Sequence, residues 1–355
     1  MEIKKYDTFE KFFNGQSDRT LYRGVSNSEY ELIPSFVRAR GTFDAGRHII
    51  DLAKMLLIKN GVTVTESYFN SCVPNHLMKL EAAESVLLFD FYKKCTSINK
   101  KIKVIDCLEK YSNSYEFYKK EICNGHIDFY MSPAIPNNIS IWDKRANELE
   151  ELANLAQHYG QPTRLLDWTS DVNTALYFAL SGILGQFSTY VVKKKKDFAK
   201  FYEGEFAVWT LDICENSFNS MKVDTAAFKI VQYNNARATS QSAFTLLPTG
   251  SVLYKPGITS TDTSDYDDEK EWAFNIRFEK WYSALTSNYT TTNGRFFCFT
   301  KHTLTYSELS TAWEYISRHG YKKTRIFPEY NSSYEEVNEE WLFELWREHE
   351  KKHGI

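Results

Sequence analysis

The fold is decided by a stretch near the middle of the chain, 155-LAQHYGQPTRLLDWT-169, in which a helix ends, the chain turns and a strand begins. Upstream, Lys144–Tyr159 carries apolar residues at helical spacing, which predicts a helix. Gly160 follows its last turn, where glycine adopts the left-handed conformation without strain. Pro162 prevents the helix from resuming. Thr163–Trp168 is then a short strand, so the stretch is predicted to form a helix–turn–strand unit.

The segments on either side of this unit are predicted to be core helices. Downstream, Asp171 is an N-cap residue for a helix over Val172–Leu184 that has an apolar face. Upstream, Asn75–Lys94 is apolar over too wide an arc for a surface helix. That helix, which contains Glu84, is therefore expected in the core.

Strand-like segments account for most of the rest of the chain. Their apolar residues follow a period of two or form short apolar runs between turn residues. The predicted strands are Leu21–Val25, Thr189–Val192, Phe206–Ile213, Phe228–Gln232, Ala243–Leu247, Trp272–Phe278 and Phe296–Phe299. Helices return at Tyr306–His319 and Glu335–Glu348. We therefore predict an α+β fold in which a helical shell covers a mainly antiparallel sheet.

Composition excludes several classes of protein. A net charge of -3 gives no overall basic signal for nucleic acid. The six cysteines are scattered without a CxxC pair, which is typical of reduced thiols in an intracellular protein. Because no run of eighteen apolar residues occurs, we expect no membrane contact and a cytoplasmic location. The 16% of aromatic residues fits either an aromatic core or surfaces that stack on bases and sugars.

The central stretch also concentrates polar chemistry. Within twelve residues, His158–Thr169 brings together an imidazole, a phenol, a guanidinium, a carboxylate and an indole. Turns between rigid elements are frequent places for binding groups. A purely structural interpretation is also open, in which Arg164 pairs with Asp167 and Trp168 fills the core.

This stretch, with Ala175-Leu176-Tyr177-Phe178-Ala179 after it, resembles the signature of the FRG domain family. The family is named for an N-terminal Phe-Arg-Gly, and the matching tripeptide here is Tyr22-Arg23-Gly24. Further similar elements are Leu32-Ile33-Pro34-Ser35 with Arg38, Glu84, Arg237 with Gln241 and Phe244, His319-Gly320, and Ile326-Phe327-Pro328. The similarity runs from about residue 21 to 330. It favours a single FRG-type unit over residues 1–355, with a family-specific insertion at about 96–143 and a surface excursion at about 261–271.

The resemblance implies an activity and partners. FRG domains occur in bacteria and in phage-associated loci, and they are similar to ADP-ribosyltransferases. The implied protein is an ADP-ribosyltransferase-like enzyme that uses NAD to modify a macromolecular acceptor, either nucleic acid (RNA or DNA) or protein. The implied role is that of a toxin or phage-defence effector, with a cognate antitoxin protein as a partner. The alternative is a non-catalytic module that binds a nucleotide or nucleic acid in the same cleft.

The resemblance also implies site residues. The catalytic residues carried over are Arg23, His158, Asp167 and Gln241. The residues carried over as NAD-binding are Arg23, Gly24, Tyr159, Thr163, Arg164, Trp168, Thr169 and Phe244. Where a Gln-x-Glu motif has its glutamate, this chain has Ala243, so Asp167 is the nearest carboxylate in the motif that can serve instead.

A zinc-dependent hydrolase is the third interpretation, because His349-Glu350-Lys351-Lys352-His353 fits the HExxH pattern. A catalytic zinc site needs a third protein ligand and a shaped cavity, whereas only two residues follow this pentapeptide. A lone His158 is more often a hydrogen-bonded structural histidine than a ligand. We therefore predict no metal cofactor.

Three geometric expectations follow. The side chains of Arg23, His158, Asp167 and Gln241 should line one cleft. Gly160 should have a positive φ angle. Arg23 should face an open anion site; its structural alternative is a buried pair with a carboxylate such as Glu84.

Overall fold

The computed structural model describes residues 2–14, 20–35, 55, 84, 87–88, 90–92, 94–95, 97, 152–157, 159–193, 198–213, 222–224, 228–232, 240–248 and 297–354. The strand predicted over Trp272–Phe278 and the surface excursion at 261–271 lie outside these residues. So do most of the predicted insertion at 96–143 and most of the helix predicted over Lys144–Tyr159, of which residues 152–157 are helical.

One mixed sheet of eight strands forms the centre of the described structure. The strands are β1 (Glu2–Lys5), β2 (Thr20–Val25), β3 (Leu166–Thr169), β4 (Glu205–Ile213), β5 (Lys222–Asp224), β6 (Phe228–Gln232), β7 (Ala243–Pro248) and β8 (Phe297–Thr305). Their spatial order is β1-β8-β4-β2-β3-β7-β6-β5. The pair β1–β8 is parallel and the other pairs are antiparallel. The predicted α+β class with a mainly antiparallel sheet is confirmed.

Helices pack around this sheet. They are α1 (Phe9–Phe13), α2 (Val172–Val192), α3 (Phe198–Tyr202), α4 (Leu309–Arg318), α5 (Lys323–Ile326) and α6 (Tyr330–His353), with a 3-10 turn at Tyr306–Glu308. The described residues between 84 and 97 are also helical. Helix α2 lies on β2 and contacts α4 and α6.

The main core surrounds α2. Leu176, Leu180 and Phe187 of α2 are fully buried in one cluster with Tyr22 of β2 and Trp346 of α6. By length and composition α2 could also cross a membrane. Its buried positions, however, recur along the helix and pack against the sheet, which is the arrangement of a core helix.

The C-terminal end of α2 corrects one sequence prediction. Thr189–Val192 was expected to be a strand because β-branched and aromatic residues favour that state. It is the last turn of α2, since Tyr190 stacks on Phe187 at a centroid distance of 6.3 Å and both belong to the core cluster. Tertiary packing therefore overrides local propensity here.

Gly24 allows α2 to approach the sheet closely. A Cβ atom at this position would lie 1.7 Å from the main-chain oxygen of Ala175 in α2, far inside van der Waals contact. Only glycine at this point of β2 lets the helix and strand meet at this distance. The glycine of the Tyr22-Arg23-Gly24 tripeptide is thus required by packing.

Candidate functional site

A cavity of about 280 Å³ opens between β2 and β3. The two strands pair at a single position, Tyr22 with Thr169, whereas β2 pairs with β4 at six. The cavity forms where β2 and β3 diverge past that pair. Its described lining comes from β2 and the loop after it, β3, the start of α2 and the start of β7: Tyr22, Arg23, Gly24, Val25, Ser26, Tyr30, Asp167, Trp168, Thr169, Thr174, Ala175, Phe178, Gln241 and Ala243.

Arg23 spans the gap between the diverging strands. Its Nη1 atom donates a hydrogen bond of 2.6 Å to the main-chain oxygen of Asp167. The guanidinium therefore replaces a backbone hydrogen bond that paired strands would make. It remains half-exposed beside the cavity and brings a positive charge to its wall.

Asp167 is held from the opposite direction. Its Oδ2 accepts a 2.5 Å hydrogen bond from Nε2 of Gln157, at the end of the helical residues 152–157. The Oε1 atom of Gln157 accepts in turn from the Thr163 hydroxyl. Within the same helix, Asn154 donates to the Thr245 hydroxyl of β7 at 2.9 Å. The exposed carboxylate is thus oriented by a helix that is itself fixed to the sheet.

The turn between that helix and β3 is anchored by buried polar contacts. Ser35 exchanges hydrogen bonds with the main chain of Thr163, at 3.1 and 3.2 Å. The Glu84 carboxylate accepts from the Arg164 main-chain N–H at 2.8 Å and from its Nε at 2.5 Å. Both members of this ion pair are buried, at 0% and 6% exposure. Gly160 has φ of +86°, which confirms the left-handed turn.

These contacts decide between the structural alternatives for Arg164. It pairs with Glu84, and therefore the predicted pair of Arg164 with Asp167 is wrong. The pair with Glu84 could not be predicted from the sequence, because Glu84 lies 80 residues before Arg164. The described hydrogen bond of Arg23 goes to the main-chain oxygen of Asp167.

The wall opposite β2 is built by Trp168, Thr169 and Gln241. Trp168 is 2% exposed and its ring lies 6.0 Å from that of Phe299. Its indole N–H has no hydrogen-bond partner in the described structure. The Thr169 hydroxyl donates to the main-chain oxygen of Gln241 at 2.7 Å, and Gln241 Nε2 donates to Ile326 O at 3.2 Å. The side chain of Gln241 is therefore fixed at the rim of the cavity.

Ser242 and Ala243 continue that wall. Ser242 has φ of +48°, a conformation that non-glycine residues rarely adopt and that is frequent near functional sites. Its main-chain oxygen accepts from Ser170 N at 3.1 Å, which ties the turn to the end of β3. Ala243 lines the cavity two residues after Gln241.

The start of α2 supplies the floor. Asp171 caps the helix by accepting from Asn173 N at 3.0 Å and from the Thr174 hydroxyl at 3.1 Å. Phe178 is 37% exposed, lines the cavity and meets Phe327 edge to face at 5.9 Å. An aromatic ring is thereby presented to any occupant.

The loop after β2 is fastened beneath the cavity. Lys301, 5% exposed, donates to Ser28 O at 2.7 Å and to Glu31 Oε1 at 2.9 Å. The Tyr306 hydroxyl donates to Ser26 O at 2.6 Å, and burial raises the pKa of Tyr306 to about 12. This phenol is therefore a permanent donor that holds the loop and does not titrate near neutrality.

The family model of the FRG domain matches residues 109–185. This chain carries an FRG domain. No curated protein and no solved structure matches the chain. The matched range includes the turn, β3 and the N-terminal part of α2, whereas Tyr22-Arg23-Gly24 lies outside it. It is shorter than the predicted span of about 21–330 and begins within the predicted insertion at 96–143, whose limits stay a prediction.

The predicted site residues are distributed in three groups. Arg23, Asp167 and Gln241 line one cavity, together with Gly24, Trp168 and Thr169. Thr163 and Arg164 are buried in the anchoring network, Tyr159 is 67% exposed outside the cavity, and Phe244 is paired with Trp168 on β7 without lining it. His158 lies outside the described residues.

Several residues that line the cavity were not predicted. Tyr22, Ala175 and Phe178 belong to quoted family motifs but were not assigned to the site. Ser26, Tyr30 and Thr174 lack a sequence signal, because they approach the cavity only through the path of the loop and helix. Gln157, the group that orients Asp167, lies inside the central motif and was likewise not singled out.

The HExxH residues lie on α6, away from the cavity. His349 contacts the rings of Phe187 and Phe198 at 5.4 and 5.1 Å, and Glu350 accepts from Tyr202, Ser310 and Trp346. Burial lowers the pKa of His349. Within the described ranges, no three side chains of His, Cys, Asp or Glu are grouped to hold a metal ion.

Proposed function

We propose that the protein is an ADP-ribosyltransferase-like enzyme that uses NAD to modify a macromolecular acceptor, a nucleic acid or a protein, at the cavity between β2 and β3. The observation that carries the proposal is the convergence of Arg23, Asp167 and Gln241, from three distant segments, on one cavity. Such a set combines a cation for phosphate, a carboxylate for a developing positive charge and an amide for hydroxyl groups.

The position of Asp167 favours an enzyme over a passive binding module. Breaking the glycosidic bond of NAD leaves positive charge on the ribose, and a fixed carboxylate stabilises that charge. Among the described lining residues, Asp167 is the one carboxylate, and Gln157 holds it in place. Asp167 therefore supplies the negative charge that the glutamate of a Gln-x-Glu motif would provide and that Ala243 lacks.

The aromatic lining fits a nucleotide. Phe178, which is 37% exposed, presents its ring to the cavity, and flat bases or a nicotinamide ring pack well on aromatic side chains. At about 280 Å³ the cavity is near the lower limit for small-molecule sites. One half of a dinucleotide would be enclosed, and the other half would extend towards the acceptor.

The direct test measures NAD+ consumption by the purified protein with total RNA, DNA or lysate protein. We expect consumption with one of these acceptors and a loss of about a hundredfold in Asp167→Asn. Asp7→Asn is the matched control, because the Asp7 side chain is 86% exposed and pairs only with a surface lysine in the described contacts. Absence of turnover with every acceptor, or equal rates in Asp167→Asn and wild type, would reject the enzyme.

A second candidate is a non-catalytic module that binds a nucleotide or nucleic acid in the same cavity. Ala243 favours it, because this residue lines the cavity where a Gln-x-Glu motif would provide a glutamate. Calorimetry separates the two candidates. A pure binding module would bind NAD+ without consuming it, and Asp167→Asn would retain the affinity.

The cellular proposal is a cytoplasmic toxin or phage-defence effector controlled by an antitoxin protein. It follows from the resemblance and rests on the proposed chemistry. Induced expression in bacteria should arrest growth for wild type and spare it for Asp167→Asn at equal protein level. Equal toxicity of both proteins would show that the toxicity does not depend on Asp167 in the cavity.

A further inference from the structure

A line of three side chains, Thr163, Gln157 and Asp167, leads from the buried turn to the cavity, and we refer to it as the relay. The Thr163 hydroxyl donates to Oε1 of Gln157, and Nε2 of Gln157 donates to Oδ2 of Asp167 at 2.5 Å. Thr163 is fully buried, Gln157 is half-buried, and Asp167 is exposed at the cavity wall. The relay therefore runs from the interior of the protein to the candidate site.

The direction of the relay follows from the chemistry of its last member. An ionised carboxylate accepts hydrogen bonds and cannot donate them, so Gln157 has to turn its NH2 group towards Asp167. The amide oxygen then faces Thr163, whose hydroxyl acts as the donor. The reverse orientation of the amide would place its oxygen against the carboxylate oxygen, and the two would repel each other. Thr163 thus supports the one orientation in which Gln157 holds Asp167.

Thr163 is itself held on several sides. Its hydroxyl oxygen accepts from the main-chain N–H of Leu165 at 3.3 Å, and its main chain exchanges hydrogen bonds with Ser35. With 0% exposure, its side chain offers no surface to a ligand. The NAD-binding role that the resemblance implied for Thr163 therefore does not describe its contacts, which all lead to the relay or to the turn.

The oxygens of Asp167 are used unequally. Its main-chain oxygen accepts from Arg23, and its Oδ2 accepts from Gln157. Its Oδ1 makes no hydrogen bond with the residues that the structure describes. We propose that Gln157 and Thr163 are positioning residues that fix Oδ2, so that Oδ1 is the oxygen directed at the ligand. This inference rests on the proposed function of the cavity.

Positioning of this kind affects the reaction more than the binding of the ligand. A carboxylate that is already oriented stabilises developing positive charge without reorganisation during the reaction. A shift of about 1 Å in a reacting group costs up to about a hundredfold in rate. Binding before the reaction depends instead on the rest of the lining, such as Arg23 and Phe178. Loss of the relay should therefore lower kcat and leave KM for NAD+ nearly unchanged.

The kinetic test uses NAD+ with the acceptor fraction that supports its consumption. Gln157→Met and Thr163→Val should each lower kcat at least about tenfold, with KM within about twofold of wild type. Thr163→Ser restores the hydroxyl and should recover most of kcat. Thr303→Val is the matched control, because Thr303 lies on β8 and its buried hydroxyl has no hydrogen-bond partner in the described structure. Circular dichroism confirms that each variant is folded.

A double variant separates the relay from general damage to the turn. Because Thr163 acts through Gln157, Gln157→Met combined with Thr163→Val should be no slower than Gln157→Met alone. If the two losses in kcat multiply instead, Thr163 acts by another route and the relay is wrong.

Nuclear magnetic resonance tests the relay without NAD+. The side-chain NH2 signals of Gln157, identified in glutamine-labelled protein by their loss in Gln157→Met, report a bond to a charged acceptor. These signals should move in Asp167→Asn and in Thr163→Val, and stay in place in Thr303→Val.

Three results would overturn the inference. They are unchanged Gln157 signals in Asp167→Asn, an active wild type whose kcat Gln157→Met and Thr163→Val leave intact, and a failure of Thr163→Ser to recover activity. A wild type that consumes no NAD+ with any acceptor would reject the proposed function instead, and the Gln157 signals would then decide by themselves whether the relay holds Asp167.

Discussion

The central strand β2 is held very differently by its two neighbours. It pairs with β4 at six positions, and α2 packs over β2 in a buried aromatic core. It pairs with β3 at one position, and on that side the contacts are polar: Arg23 to Asp167, Gln157 to Asp167, and Glu84 to Arg164. Continuous pairing and packing stabilise one side. The other side leaves a cavity whose walls are set by a few hydrogen bonds, so substitutions on the two sides should have different consequences.

The largest effect is expected from Gly24→Ala, which disrupts the packing of α2 on β2. Its Cβ would overlap the main chain of α2 at 1.7 Å, and no side-chain rotation relieves that contact. We expect the free energy of unfolding to fall by about 4 kcal/mol or more. Chemical denaturation measures it. Gly185→Ala in the same helix is the control, since nothing lies within 4 Å, and it should stabilise by about 0.5–1 kcal/mol. Similar values for both variants would contradict the argument.

Glu84→Gln tests the anchor beneath the polar side. It removes the charge that compensates buried Arg164 and should lower the free energy of unfolding by about 3 kcal/mol. Glu314→Gln breaks an ion pair of similar length, 2.9 Å, at the surface, and should change it by less than about 0.5 kcal/mol. Thermal and urea unfolding of the three proteins make the comparison. If Glu84→Gln matches its surface control, the anchor does not hold the turn.

Acid should act on the tightly paired side through His302 of β8. This ring lies between the hydroxyls of Tyr6 and Thr210, at 3.0 Å from each, and burial lowers the pKa of His302 to about 4. The neutral ring therefore contributes stability above about pH 6.5, and this contribution is lost as the pH falls towards 4. Across that interval we expect the free energy of unfolding of the wild type to fall by about 2 kcal/mol through this group. The fall should be smaller in His302→Gln, and the pH–stability curves of the two proteins measure the difference.

The smallest effect on stability, with the clearest effect on function, is expected for Arg23→Ala. Its hydrogen bond to Asp167 O is exposed, so the free energy of unfolding should fall by about 1 kcal/mol or less. Under the proposed function, titration calorimetry should detect at least a tenfold loss of NAD+ affinity, because the cation proposed to bind the phosphate is removed. Arg23→Lys should recover only part of it, since a lysine lacks the bidentate fork. Strong destabilisation with retained binding would make Arg23 a structural residue.

The elements that could be predicted from sequence are those fixed by local chemistry. Periodicity gave the class of the fold and the positions of α2, β4 and β7, and Gly160 with Pro162 gave the turn. The resemblance placed Arg23, Asp167 and Gln241 at one site, and the structure brings these three residues together at one cavity.

The features that could not be predicted depend on long-range packing. The ion pair of Arg164 with Glu84 joins residues that are 80 positions apart in the sequence. The end of α2 is helical because Tyr190 packs against Phe187 and Phe198. The divergence of β2 from β3, which creates the cavity, leaves no mark on either strand, because both have ordinary strand sequences.

The close approach of Gly24 to α2 affects how relatives of this protein should be recognised. A glycine that is demanded by a helix 150 residues away will persist in any chain that keeps this fold, whatever the chain binds. The arginine before it is not required by this helix contact. In distant relatives, therefore, we expect the glycine to be retained wherever the fold is retained, and the arginine only where the ligand chemistry is shared. Chains that keep the glycine and lack the arginine would mark the points at which the ligand changed.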